Sequence, residues 1–273
     1  MSIRSSRTEE ARAARARRAS RSAPSAASDS PATESGSKSA RAKAPPADDW
    51  AFVERVLASP VADAVYVWGP PGTGKTFAAC HADRGGRELF NVTLTPETPA
   101  AELRGFFVPR GVEFVWQDGV FVEAMRKGAR LVINEVAHAS ADVLAILHPL
   151  LESRETARLT LPNLETVVPA PGFQVVCTDN LPPDHLPPAL RDRFKSLLHV
   201  DRPHPAALER LRPGLREAAL RTFDLEPERA VSVRGWLAVQ GFEAELGAEG
   251  SLRAVFGVDR GAQLFEALSL GAA

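Results

Sequence analysis

Eight consecutive residues carry the strongest chemical signal in the chain: Gly69-Pro70-Pro71-Gly72-Thr73-Gly74-Lys75-Thr76. The pattern G-x-x-x-x-G-K-[ST] suits one task, the cradling of a nucleotide's phosphates. Its glycines let the backbone turn tightly and approach oxygens that a Cβ would obstruct. An apolar, β-rich run, Ala64–Trp68, precedes the loop, and a helix-compatible run, Phe77–His81, follows it. That setting aims backbone N–H groups and the positive end of a helix dipole at an anion. Lys75 would reach the β- and γ-phosphates, and the Thr76 hydroxyl would ligate Mg²⁺. A chain with this loop is expected to bind a nucleotide.

Further polar residues stand where a hydrolytic site would need them. The apolar run Leu131-Val132-Ile133 ends in Asn134-Glu135, about sixty residues beyond the loop. Glu135 is placed as the general base that polarises a water against the γ-phosphate; capping a helix is its bland alternative. Asn134 holds the metal-associated position, where Asp is usual. An amide there brings oxygen without charge, and Mg²⁺ would feel it only indirectly. Phe173–Thr178 leads to Asp179-Asn180, with Asn180 expected to orient the attacking water and Thr178 as the alternative. In Leu190-Arg191-Asp192-Arg193-Phe194, Arg193 is the candidate arginine finger acting on a neighbour's nucleotide, with Arg191 as the alternative. For either arginine the competing reading is a surface ion pair with Asp192 or another acid. Arg234, in Ser232–Trp236, would reach the γ-phosphate from a lid, or be an exposed helix cation. His138, His185, His199 and His204 lack ligand spacing. No guanine-recognition NKxD motif occurs, which disfavours a GTPase.

Apolar periodicity supplies the elements that must hold these residues. Short Val/Leu/Ile/Phe runs at 64–69, 88–94, 130–134, 173–178 and 195–200 do not alternate, as expected of parallel strands covered on both faces. Helical runs at 75–82, 119–127 and 140–153 lie between them, and Asp48-Asp49 open a further helix that ends near Ser59-Pro60. The pattern predicts an α/β fold: a doubly wound parallel sheet of the phosphate-loop type, with two hairpin insertions at 106–116 and 157–168. Three segments follow: a tail over 1–46, a nucleotide-binding core over 47–202 and a small helical domain over 203–273.

Composition sets outer limits. The 273 residues are 44% hydrophobic, enough for a sizeable core. No apolar run reaches the ~18 residues needed to span a membrane. The net charge of −1 hides an asymmetry, since residues 1–46 hold ten Arg/Lys against four Asp/Glu. That Ala/Ser/Arg-rich tail has no aromatic residue and is expected to be disordered, as a solvated tail, an anion or nucleic-acid contact, or a targeting segment. Cys80 and Cys177 read as small core residues of a reducing compartment.

The order of these motifs resembles the AAA+ ATPases of the MoxR, dynein-related group, in the clade with an insert in helix 2 and a pre-sensor hairpin. Gly69–Thr76, Leu131–Glu135, Thr178–Asn180, Leu190–Phe194 and Ser232–Arg234 carry the resemblance. Leu103-Arg104-Gly105, Gly119–Ala124 and Leu147–Glu152 match the family's helix-2 and pre-sensor regions. The resemblance implies ATP and Mg²⁺ as ligands, with Gly69 to Thr76 around the phosphates and Thr76 and Asn134 on the metal side. It further implies Glu135 as catalytic glutamate, Asn180 as sensor one, Arg193 as finger and Arg234 as sensor two, alongside Lys75. A cytoplasmic ring, usually of six subunits, is implied too, acting as a chaperone-like remodeller often paired with a von Willebrand A domain protein. Two alternatives stay open. One is a nucleotide-dependent scaffold in which Asn134 makes hydrolysis slow or absent. The other is a nucleic-acid-directed motor or restriction subunit.

Overall fold

The computed structural model describes residues 48–225 and 231–270. The tail expected over 1–46 lies outside the described residues.

Five parallel strands form the central sheet: β1 (Ala64–Trp68), β2 (Leu89–Thr93), β5 (Arg130–Asn134), β8 (Gln174–Asp179) and β9 (Ser196–His199), in the order β2-β5-β8-β1-β9. Side chains alternate across a strand, and here both faces are covered. Leu131, Ile133, Tyr66 and Cys177 enter one core cluster, while Val132, Val65, Val67 and Val176 enter another on the opposite face. This explains why the three inner strands read as unbroken apolar runs. β2 departs from the expectation: it is an edge strand, with Asn91 and Thr93 exposed. Cys80 and Cys177 are buried free thiols.

Helix α1 (Trp50–Ala58) starts at Asp49, whose carboxylate accepts the Phe52 N–H at 2.7 Å. Helix α2 (Lys75–His81) follows the glycine-rich loop. Both helices end over one buried cation. Arg130 donates to the carbonyls of Leu57, Ala79, Ala82 and Asp83 and to Gln174 Oε1, at 2.7–3.1 Å. A cation at helix C-termini meets the negative ends of their dipoles. Arg130 thereby ties α1 and α2 to the sheet at the end opposite the loop.

The expected hairpins are present. After the short α3 (Ala100–Arg104), β3 (Gly105–Arg110) pairs antiparallel with β4 (Glu113–Asp118). The second hairpin, β6 (Leu159–Thr160) with β7 (Thr166–Val167), follows α5 (Ala141–Leu151). Arg126, on α4 (Val120–Lys127), joins them. Its Nε donates to Asp118 at 2.7 Å and its two Nη groups to Glu165 at 2.7 and 2.8 Å. β3–β4 carries a cluster of exposed apolar side chains, Phe106, Phe107, Val112, Phe114 and Val115.

Beyond α6 (Pro188–Arg191) and β9 the elements among the described residues are helices: α7 (Pro205–Leu208), α8 (Pro213–Leu225), α9 (Val233–Phe256) and α10 (Val258–Leu270). Gly247, at φ +69°, interrupts α9. These helices pack around Trp236, Leu215, Val239 and Leu252 as a third apolar cluster, apart from the two that cover the sheet.

Candidate functional site

Ligands of open α/β sheets bind outside the carboxyl ends of the strands. Here those ends carry the polar residues singled out by the sequence. Register sets Asn134 beside Thr178 on the neighbouring strand and Asp179 beside Trp68, the last residue before the loop. The loop then turns into α2 with Gly72 at φ +76° and Gly74 at φ +100°, conformations costly for any residue with a Cβ.

Lys75 is 7% exposed and folds over its own loop. Its Nζ donates to the carbonyls of Gly69 (2.9 Å) and Pro70 (2.7 Å) and to Asn180 Oδ1 (3.0 Å). Burial pushes the ammonium down to about 8, against the pull of Glu135 and Asp179. Asn180 uses its other end as well: Nδ2 donates to Glu135 Oε1 at 3.1 Å. One amide therefore bridges the loop cation and the candidate base. Thr178 faces elsewhere, its hydroxyl donating to Asn134 Oδ1 at 2.8 Å. Between the two candidates for orienting water, only Asn180 reaches the Glu135 carboxylate with its side chain.

Asn134 is 7% exposed and fully engaged. Its Oδ1 accepts from the Thr76 hydroxyl (2.7 Å) and from Thr178, while Nδ2 donates to Asn91 Oδ1 (2.7 Å) and the Val92 carbonyl (3.0 Å).

Glu135 sits at φ +58°, ψ +42°, a left-handed conformation unusual for a residue with a side chain. Its neighbours hold it there. Its N–H donates to the Thr178 carbonyl at 2.8 Å, and the next turn is pinned by Asp179, whose Oδ2 accepts the Ala137 N–H at 2.7 Å. Asp179 Oδ1 accepts the Leu181 N–H, and the Leu181 carbonyl accepts the Tyr66 hydroxyl at 2.8 Å. Sequence reading passed over Asp179, Tyr66 and Asn91 as supports. His204, expected to be solvated or to cap a helix, also braces the loop: its backbone N–H donates to the Thr73 carbonyl, and its Nε2 lies 2.9 Å from Glu54. His204 Nδ1 accepts the Ala206 N–H, a capping role. Their signal was weak, because each acts through a partner far away in the chain.

The arginines divide differently. Arg193 donates from Nε to Glu152 at 2.7 Å and from Nη1 to the Ala189 carbonyl, and Arg191 pairs with Asp184. None of these bonds reaches Lys75, Thr76, Asn134, Glu135 or Asn180, which the fold does bring together. Arg234 is exposed in the first turn of α9. The cap of that helix, Ser232, lies against the loop: a Cβ on Gly72 would stand 2.2 Å from Ser232 Cβ. Among the described residues no cluster of three or more His, Cys, Asp or Glu could hold a metal ion.

The donor set suits Mg²⁺ bound together with a nucleotide. Thr76 is exposed at the loop and offers a hard hydroxyl oxygen, and its proton is already committed to Asn134. A glycine-rich loop between a parallel strand and a helix, with lysine, hydroxyl and acid gathered at the strand ends, defines a phosphate-loop nucleoside triphosphatase fold. Residues 64–194 match the AAA domain of the dynein-related subfamily. The chain is similar to this AAA family over that stretch, just under half of its length. It is 36% identical over 169 residues to the protein NorQ of Paracoccus denitrificans, covering 59% of this chain and 60% of that one. To the protein CbbQ of Hydrogenophilus thermoluteolus it is 34% identical over 113 residues, covering 41% and 42%. The denitrification regulatory protein NirQ of Stutzerimonas stutzeri is 32% identical over 152 residues, covering 54% of each chain. The chain thus spans 60% or less of the length of these relatives. Among solved structures, NtrX from Brucella abortus is 15% identical with a TM-score of 0.46, covering 80% of this chain and 66% of that one. Among the described residues no helix is long and apolar enough to cross a membrane.

Proposed function

We propose that this chain binds ATP with Mg²⁺, hydrolyses it, and works as a cytoplasmic ring, hexameric as the family leads one to expect, that remodels a protein partner. The observation that carries the reading is the Asn180 bridge between Lys75 and Glu135, which sets cation, water-orienting amide and base along one line of hydrogen bonds. Mg²⁺, when bound, would neutralise phosphate charge. The loop N–H groups and Lys75 would hold the phosphates, Thr76 would face the ion, and Glu135 would take the proton of a water oriented by Asn180. Arg193 spends its donors on Glu152 and Ala189 within its own subunit, as a resting finger can. In a ring it would turn to a neighbour's nucleotide. Arg234, on the helix whose cap touches Gly72, would report that nucleotide to the lid.

The hairpins are the parts proposed to meet the partner. β3–β4 presents exposed phenylalanines, and Arg126 binds it to the second hairpin, so the two would move together. A von Willebrand A domain protein is one candidate partner; nucleic acid is the alternative. A scaffold with slow turnover is a second reading, favoured by the uncharged Asn134.

Subunit mixing tests the ring. Arg193→Ala and Glu135→Gln proteins should each be inactive alone, and the mixture should regain turnover at interfaces that combine an intact Glu135 with an intact Arg193. A mixture as inactive as its components would contradict a finger acting between subunits.

A further inference from the structure

Asn134 stands where the family's metal-side carboxylate is usual, and the simplest expectation is that Asp in its place would strengthen the site. The hydrogen bonds around it argue otherwise. An amide oxygen and nitrogen are told apart by their partners. The Val92 carbonyl, 3.0 Å away, can only accept, so the atom facing it must be the NH₂ group. Asn91 then presents its own oxygen to the same NH₂ at 2.7 Å. The remaining atom, Oδ1, takes both hydroxyl protons, from Thr76 and Thr178. Four bonds exhaust the amide's capacity: two donors given, two lone pairs filled. Nothing is left over to meet a metal ion or its water.

A carboxylate cannot take this place. It would set an oxygen against the Val92 carbonyl at the distance of a hydrogen bond that no longer exists. Asn91 could turn its amide to compensate on its side, but Val92 is main chain at a sheet edge paired with β5 and cannot turn. Losing a buried bond and leaving two acceptors face to face costs more than an average hydrogen bond is worth.

We propose that Asn134 is an uncharged clasp between β2 and β5, specified by the Val92 carbonyl and by Asn91, and that it serves the metal side only by fixing the Thr76 hydroxyl proton. Asn91 is the positioning residue of that clasp. With its proton committed to Asn134, Thr76 turns its oxygen lone pairs outward, and the ion meets a neutral protein wall at position 134. The inference rests on the nucleotide-binding reading, and the experiment separates the two.

The test uses the full chain and a fluorescent ADP analogue, titrated with Mg²⁺ and with EDTA, together with thermal midpoints of the nucleotide-free protein. Asn134→Asp should lower the midpoint and should not enlarge the affinity gain from Mg²⁺. Asn91→Ala should shrink that gain several-fold while leaving affinity in EDTA unchanged. Asn91→Asp keeps an acceptor for the Asn134 NH₂ and should retain the wild-type gain. An Asn134→Asp protein as stable as wild type, with tighter Mg²⁺-dependent binding, would overturn the clasp. So would an Asn91→Ala protein with the wild-type gain, or an Asn91→Asp protein no better than Asn91→Ala. If the wild type binds no ADP analogue at all, the nucleotide reading itself falls and this inference goes with it.

Discussion

Ser232 and Gly72 touch. The cap of the long helix α9 rests on the glycine-rich loop so closely that a Cβ on Gly72 would lie 2.2 Å from Ser232 Cβ. The glycine thus serves two needs, a positive φ and room for the lid. Gly72→Ala should cost about 1–2 kcal/mol in backbone strain and should hold the lid off the loop, lowering nucleotide affinity about tenfold. Gly86→Ala is the control. Gly86 has φ +79°, close to the +76° of Gly72, but nothing lies within 4 Å of its would-be Cβ. Calorimetric nucleotide titration of both variants checks this, and equal affinities would show that the lid contact is dispensable.

Asn180→Ala removes the bridge between Lys75 and Glu135 and leaves the loop intact. Turnover should fall about 10²-fold, the usual scale for losing a group that positions a proton transfer. Nucleotide affinity should change little. Steady-state hydrolysis beside equilibrium binding separates these effects. A loss of binding equal to the loss of turnover would make Asn180 a ligand-holding residue instead.

Lys75 sets the pH dependence. Burial lowers its ammonium to about 8 in the nucleotide-free chain, and a bound polyphosphate would raise it again. Binding therefore takes up a proton once the pH exceeds 8. Affinity should be flat below that value and fall, by up to about tenfold per pH unit, above it. The stability of the free protein should move the opposite way. Between about 8 and the ordinary lysine value the unfolded chain binds more protons, so stability rises with pH over that window. Nucleotide titrations from pH 6.5 to about 9.5 check the sign, and a flat profile would contradict it.

Arg130 is a fully buried cation whose five donors serve four carbonyls and one amide oxygen. Arg130→Leu should lower stability by about 3–5 kcal/mol, because the orphaned acceptors stay buried at the ends of α1 and α2. Urea unfolding measures it. A loss under about 1 kcal/mol would mean that water replaces the guanidinium.

What the sequence makes legible is what depends on neighbours along the chain. The loop, the apolar strands and both hairpins are local patterns, and each stands within a few residues of its expected place. β2 also falls where the run at 88–94 predicts it, but as an edge strand it leaves Asn91 and Thr93 exposed and is not covered on both faces as expected. The supports of the site were not legible at all. Asp179 holds the turn after Glu135 only because β8 lies in register beside β5, and Asn91 meets Asn134 only because β2 pairs with β5. The Ser232–Gly72 contact exists only once the start of α9 packs against the loop. Such roles arise from pairing between distant segments, which composition and periodicity do not encode.

The most direct measurement is steady-state ATP hydrolysis at saturating Mg²⁺ for the wild type beside Glu135→Gln, with nucleotide binding measured separately. Turnover by the wild type, abolished in Glu135→Gln while ATP still binds, is the predicted result. Tight binding with no turnover in either protein would contradict hydrolysis by this chain and leave the nucleotide as a structural ligand.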